Sequence, residues 1–226
     1  MDWKQVKAAR GLLWLLAVAC ALATLQPVAA QPAARRQDGV DLGARLKALE
    51  ADPALRAGMV RTGRKVAAVC THCHGEGGNS VSPDVPNLAG QNPEYLIEQL
   101  RQFAEGRRRN EFMEGMIRAL SADEKVGIVV FYAGERVSRK PVANAALAVR
   151  GRDYYQKVCF QCHGADGRGN EHHARIAGQQ PAYLRLTLLH YRQGAGTRVN
   201  PIMSGVTRPM SDADIEAVVA YVSSMD

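Results

Sequence analysis

Two thiols and an imidazole stand together twice in this chain. CTHCHG (Cys70–Gly75) puts Cys70 and Cys73 three residues apart with His74 directly after them, and CFQCHG (Cys159–Gly164) repeats the pattern with Cys159, Cys162 and His163. The remaining cysteine, Cys20, lies in an apolar N-terminal run and reads as a small h-region residue rather than a lipidation site. A disulfide framework would not place every other cysteine in Cys-x-x-Cys-His. A thioredoxin-like redox pair needs a preceding strand and no histidine. A zinc site uses such ligands, but adjacent Cys73 and His74 do not readily wrap one tetrahedral ion.

The reading left is covalent haem. Two thiols one helical turn apart span the distance between the two vinyl groups, and the next imidazole reaches the iron. The pattern occurring twice, in register with a longer repeat, makes chance coincidence a poor explanation. His74 and His163 are then the proximal metal ligands, and Cys70, Cys73, Cys159 and Cys162 bind the two haem c groups. The sixth ligand should stand at the same place in both copies. Met113 and Met203 do, each three residues after an asparagine and seven before the Leu120/Met210 position. A soft thioether opposite an imidazole raises the iron potential. Met116 and Met210 have no methionine counterpart and read as core filling. His172-His173 offers a bis-histidine alternative in the second copy but reads as solvated, as does His72. His190 reads as half-buried beside Tyr191.

The elements that must position these donors are themselves duplicated. Cys70 and Cys159 are 89 residues apart; LAGQNPEYL (Leu88–Leu96) returns 88 later as IAGQQPAYL (Ile176–Leu184). NEFM (Asn110–Met113) and LSADE (Leu120–Glu124) answer NPIM (Asn200–Met203) and MSDAD (Met210–Asp214), both shifted by 90. Four blocks in one order mean two homologous all-α domains, expected at residues 60–137 and 147–226 with a linker over 138–146. Gly63–Cys70 and Gly151–Cys159 predict short helices leading into the cysteines. Pro93 and Pro181 suit a first helical residue. Leu96, Leu100 and Phe103 match Leu184, Leu188 and Tyr191 as one apolar face, ended by Gly106 and Gly194. Ser121-x-x-Glu124 predicts a capping box, with Ser211 and Asp214 as its counterpart. Residues 41–60 suggest an extra amphipathic helix interrupted at Pro53, and the N-terminal extension as a whole is expected over 31–59.

Lys4, Lys7 and Arg10, then the apolar Gly11–Leu25 and the small Val28-Ala29-Ala30, have the layout of a secretory signal peptide over residues 1–30. The alternative is an uncleaved segment holding the protein at a membrane. The whole chain has 226 residues and a net charge of +7, with 46% hydrophobic and 23% charged residues, an ordinary globular balance. Removing residues 1–30 takes away three positive charges and one negative, leaving +5. No basic stripe is interleaved with aromatics, which excludes a nucleic-acid footprint. The Arg107–Arg109 run reads as a solvated loop. Both tryptophans, Trp3 and Trp14, fall in the leader, and two small domains without Trp would gain from a large bound apolar group.

With its two CHG sites, AGQ-x-P-x-YL blocks, N-x-x-M loops and closing LS-x-x-E helix, the chain resembles the cytochrome c4 family over roughly residues 60–226. The resemblance implies two cytochrome c domains about a pseudo-two-fold axis with propionates near the interface. It also implies a periplasmic carrier moving electrons from a membrane quinol-oxidising complex toward a terminal oxidase. An electron-accepting subunit of a dehydrogenase is the alternative. A two-haem enzyme such as a peroxidase is disfavoured by a methionine candidate in both copies. One departure stands out: Pro86, in the loop that accepts the proximal histidine N–H, corresponds to Ala174, which predicts a looser second loop.

Overall fold

The computed structural model describes residues 40–138, 141, 144–196 and 198–226. The expected signal segment lies outside them. Among the described residues all regular structure is helical apart from one isolated antiparallel bridge, Arg108 with Arg198.

Short-range signals start the helices. Asp41 and Asp52 accept backbone N–H groups to open α1 (Leu42–Ala51) and α2 (Pro53–His74), and Pro53 takes the first helical position, where its missing N–H is no loss. The proline therefore begins a helix instead of interrupting one. That helix runs for 22 residues through both cysteines to the histidine, much longer than the expected Gly63–Cys70. A single 3₁₀ turn follows over Glu76–Gly78. Pro93 and Pro181 open α3 (Pro93–Ala104) and, in the second half, α8 (Pro181–Gln193); Gly106 and Gly194 follow at φ 71° and 62°. α4 (Glu111–Ala119) and α5 (Ala122–Gly134) complete the first half. The second half adds α6 (Ala145–Lys157), α7 (Phe160–His163), α9 (Pro201–Thr207) and α10 (Asp212–Val222). Both predicted capping boxes form, at Ser121/Glu124 and Ser211/Asp214.

The halves share one packing device. α2 crosses α5, and α6 crosses α10, backbone against backbone. A Cβ on Gly63 would lie 2.0 Å from the Gly127 carbonyl oxygen, and one on Gly151 1.9 Å from that of Ala217. The glycines are 88 residues apart but the following cysteines are 89 apart, so the second half carries one extra residue between them. There the helix breaks, at Val158 (φ −124°, ψ −58°), splitting into α6 and α7 what α2 keeps whole.

The first core gathers Leu96, Ile97, Leu100 and Phe103 of α3 with Val126, Val129 and Val130 of α5. α1 adds Leu42, Leu46 and Leu49 to it and packs on α2, α3 and α5. The segment without a repeat counterpart is thus part of the first core. The second core is smaller, built on Tyr155, Leu184, Ile215, Val218, Val219 and Val222. Tyr155 fills it from the first helix, where the first half has Ala67 at the 88-residue shift.

Gly151→Ala should lower the unfolding free energy by about 1–3 kcal/mol, because the new methyl meets rigid backbone. Gly115→Ala, mid-helix with nothing within 4 Å of its would-be Cβ, should raise it by about 0.5–1 kcal/mol. Denaturant midpoints of the two variants measure both changes.

Candidate covalent haem sites

Each half delivers its donors from a helix end. Cys70, Cys73 and His74 occupy the last turn of α2; Cys162 and His163 lie in α7, with Cys159 as the residue that caps it. Gly75 and Gly164, at φ 74° and 78°, then turn the chain back. None of these four cysteines is paired in a disulfide. Burial raises the Cys70 thiol above its ordinary value and pushes that of Cys159 up to about 11. Such thiols are protonated at neutral pH, opposite to the lowered value a thiol–disulfide exchange site needs. Among the described residues no group of three or more His, Cys, Asp or Glu side chains is gathered to hold a single metal ion.

The two imidazoles are held alike. His74 Nδ1 donates to the Pro86 carbonyl at 2.9 Å and His163 Nδ1 to the Ala174 carbonyl at 2.9 Å. A carbonyl only accepts, so Nδ1 carries the proton and Nε2 keeps its lone pair for a metal. Burial lowers both imidazoles, and this outweighs the carbonyl bonds, so each ring stays neutral. The Pro86/Ala174 difference does not loosen the second loop. Ile176 and Ala177 donate to the Gly167 carbonyl as Leu88 and Ala89 do to that of Gly78. Gly178 donates to Val222 as Gly90 does to Tyr132.

The methionines do not sit in loops. Asn110 Oδ1 accepts the Met113 N–H and Asn200 Oδ1 that of Met203, each at 3.0 Å, so N-x-x-M is an N-cap followed by the third helical residue, in α4 and α9. Met113 is half-buried against the first core, against which Cys70 also packs, and Met203 is half-buried. Met210 is a member of the second core, as expected of a filler. His72 is exposed and His190 half-buried. His172 is exposed beside Glu171, but His173 is not solvated as expected. Asn170 holds its backbone and its Nδ1, and the half-buried ring stands edge-on to His163 at 6.2 Å. The donor set of a covalent haem — two thiols a turn apart and a neutral imidazole with free Nε2 — is therefore present twice, and the residues fit the group.

A third feature carries no local motif. Of the Arg107–Arg109 run only Arg107 and Arg109 are exposed. Arg108 stacks over Phe103 at 4.4 Å and bonds Gln99 and the Tyr183 hydroxyl of the other half, at 3.0 and 3.2 Å. Arg198 bonds the same hydroxyl at 3.0 Å, Gln99 at 2.9 Å, and Tyr95. The 90-residue shift relating Arg108 to Arg198 and the 88-residue shift relating Tyr95 to Tyr183 were the available signal.

A mostly helical two-half fold with a haem donor set at a helix end in each half defines a c-type cytochrome. A family model for cytochrome c matches residues 60–122 and 148–226. Cytochrome c4 of Thiocapsa roseopersicina is 34% identical over 174 residues, 71% of this chain and 89% of that protein. The crystal structure of reduced recombinant cytochrome c4 from Pseudomonas stutzeri superposes with a TM-score of 0.68 at 32% identity, covering 74% of this chain and 98% of that one. A thiosulfate dehydrogenase electron acceptor of Thiomonas intermedia is 34% identical over 173 residues, 70% of this chain and 79% of that protein. The chain belongs to the cytochrome c4 family: it is a two-haem electron-transfer cytochrome with covalently bound haem c.

Burial works against ionisation of Tyr183, but Arg198 and Arg108, with a hydrogen bond from Thr187, outweigh it and bring the phenol down to about 8. The folded protein then releases this proton before the unfolded chain does, so Tyr183 adds stability as pH rises from about 8 toward 10 and adds none below. Tyrosinate absorbance should show one early step near pH 8 that Tyr183→Phe removes; titration of all tyrosines at the ordinary value would contradict this.

Proposed function

We propose that Cys70 and Cys73 anchor one haem and Cys159 and Cys162 the other, and that His74 and Met113 in the first half, and His163 and Met203 in the second, would hold its iron. The observation that carries this is the matched 2.9 Å bond from Nδ1 to a backbone carbonyl in both halves, which leaves each Nε2 facing the same task. Haem, once bound, supplies a one-electron iron couple. The side chains do the rest. The imidazoles stay neutral and oriented, the asparagine caps fix the methionines at the third residue of a helix, and the two cores exclude water from one face of each site. His74 with Met113, and His163 with Met203, would give the iron of each bound haem two protein donors and leave none of its sites to a substrate, so the chain is read as a carrier rather than an enzyme.

The carrier works in the periplasm, between a membrane quinol-oxidising cytochrome complex and a terminal oxidase. A second route, electron acceptance from a periplasmic dehydrogenase, is favoured by the 34% identity to a thiosulfate dehydrogenase electron acceptor. Among the described residues no helix is long and apolar enough to cross a membrane.

Optical redox titration of the holoprotein should show two low-spin centres and the far-red band of methionine-ligated ferric haem. Met113→Ala should abolish that band for one centre and lower its midpoint, and Met203→Ala for the other; an unchanged spectrum would assign the wrong sulfur. Co-purification with a larger dehydrogenase subunit would select the second route.

A further inference from the structure

The carbonyl that accepts each proximal imidazole is one end of a peptide plane whose other end is held by the opposite half of the molecule. Pro86 C=O and Asn87 N–H belong to one planar amide, as do Ala174 C=O and Arg175 N–H. Gln179 Oε1 accepts the Asn87 N–H at 2.7 Å, and Gln179 Nε2 donates to the Asn87 carbonyl at 3.0 Å. Gln91 does the same in reverse: Oε1 accepts the Arg175 N–H at 2.7 Å and Nε2 donates to the Arg175 carbonyl at 2.9 Å. Each glutamine thus pairs with a backbone residue as a neighbouring strand would, and the two are related by the 88-residue repeat. Asn87, Gln91 and Gln179 are all buried.

We infer that Gln91 and Gln179 are positioning residues that act across the domain boundary, each setting the strength of the proximal hydrogen bond in the half to which it does not belong. The path is short and continuous: His74 Nδ1–H to the Pro86 carbonyl, through the amide to Asn87 N–H, to Gln179 Oε1. Its mirror runs from His163 through Ala174 and Arg175 to Gln91. Hydrogen bonds in such a chain polarise one another. An acceptor on the amide N–H makes the carbonyl a better acceptor, and a better acceptor makes the imidazole a stronger electron donor to iron. Stronger donation favours the ferric state, so loss of the glutamine raises the midpoint of the opposite half's haem. The inference rests on His74 and His163 being the proximal ligands.

The experiment is redox titration of the two-haem holoprotein, each midpoint assigned to its half through the Met113→Ala and Met203→Ala spectra. Gln179→Leu should raise the first-half midpoint and leave the second in place; Gln91→Leu should do the reverse. Gln179→Glu and Gln91→Glu keep the acceptor oxygen and add negative charge, so they should lower the same crossed midpoints. These variants decide the matter even where a leucine prevents folding. Asn92→Ala removes bonds across the same boundary, to the Arg168 and His173 carbonyls, without touching either peptide plane, and should move neither midpoint. Shifts confined to the variant's own half, equal shifts in both haems, or the same shift from Asn92→Ala would overturn the inference. A wild-type protein without two histidine-ligated haems would instead overturn the ligand assignment on which it rests.

Discussion

Contact between two backbones, glycine against carbonyl, fixes where everything else in each half can go. Where Gly63 meets Gly127 and Gly151 meets Ala217, no side chain separates the helices, so α2 with α5, and α6 with α10, lock at one crossing point with little freedom to slide. The cysteines follow that point by about two to three turns, on α2 itself in the first half and beyond the break at Val158 in the second, and the histidine comes directly after them. A donor set that must meet a rigid, planar group tolerates little error, and here the error is limited by the least deformable contact available to a helix pair. The extra residue in the second half shows which part of this is fixed. The chain breaks its helix at Val158 and restarts it rather than displace the cysteines.

Between the halves the chemistry is polar, and it is nearly symmetric. Arg108 and Arg198 converge on Tyr183 with Gln99 between them, and the amides of Gln91 and Gln179 pair with backbone on either side. Buried polar groups are tolerated only when their partners are supplied, and a two-fold arrangement supplies them twice over with one set of residue types. The cores are less symmetric. α1 enlarges the first alone, while Tyr155 donates its hydroxyl to the Gly164 carbonyl at 2.6 Å in the second, a role Ala67 cannot fill.

The donor spacing and the duplication were legible because both are periodic, and so were the proline-led helices and the capping boxes, which depend on residues three or four apart. The length of α2 was not: Pro53 carries the same local signal whether it ends one helix or opens the next, and only Asp52 accepting N–H groups behind it decides. The N-x-x-M segments read as loops because proline and charge surround them, yet asparagine is a strong helix cap. Arg108 was hidden by its neighbours, since a charge run gives no sign that its middle member lies over Phe103. The glutamines of the AGQ blocks were visible as a repeat, but a repeat does not tell which distant peptide a side-chain amide will meet.

That reciprocity makes the duplication hard to undo. Take away one half and the other is left with a peptide N–H, at Asn87 or at Arg175, that has lost its glutamine partner. The pair, rather than the single domain, is therefore the smallest unit in which both histidine loops are braced.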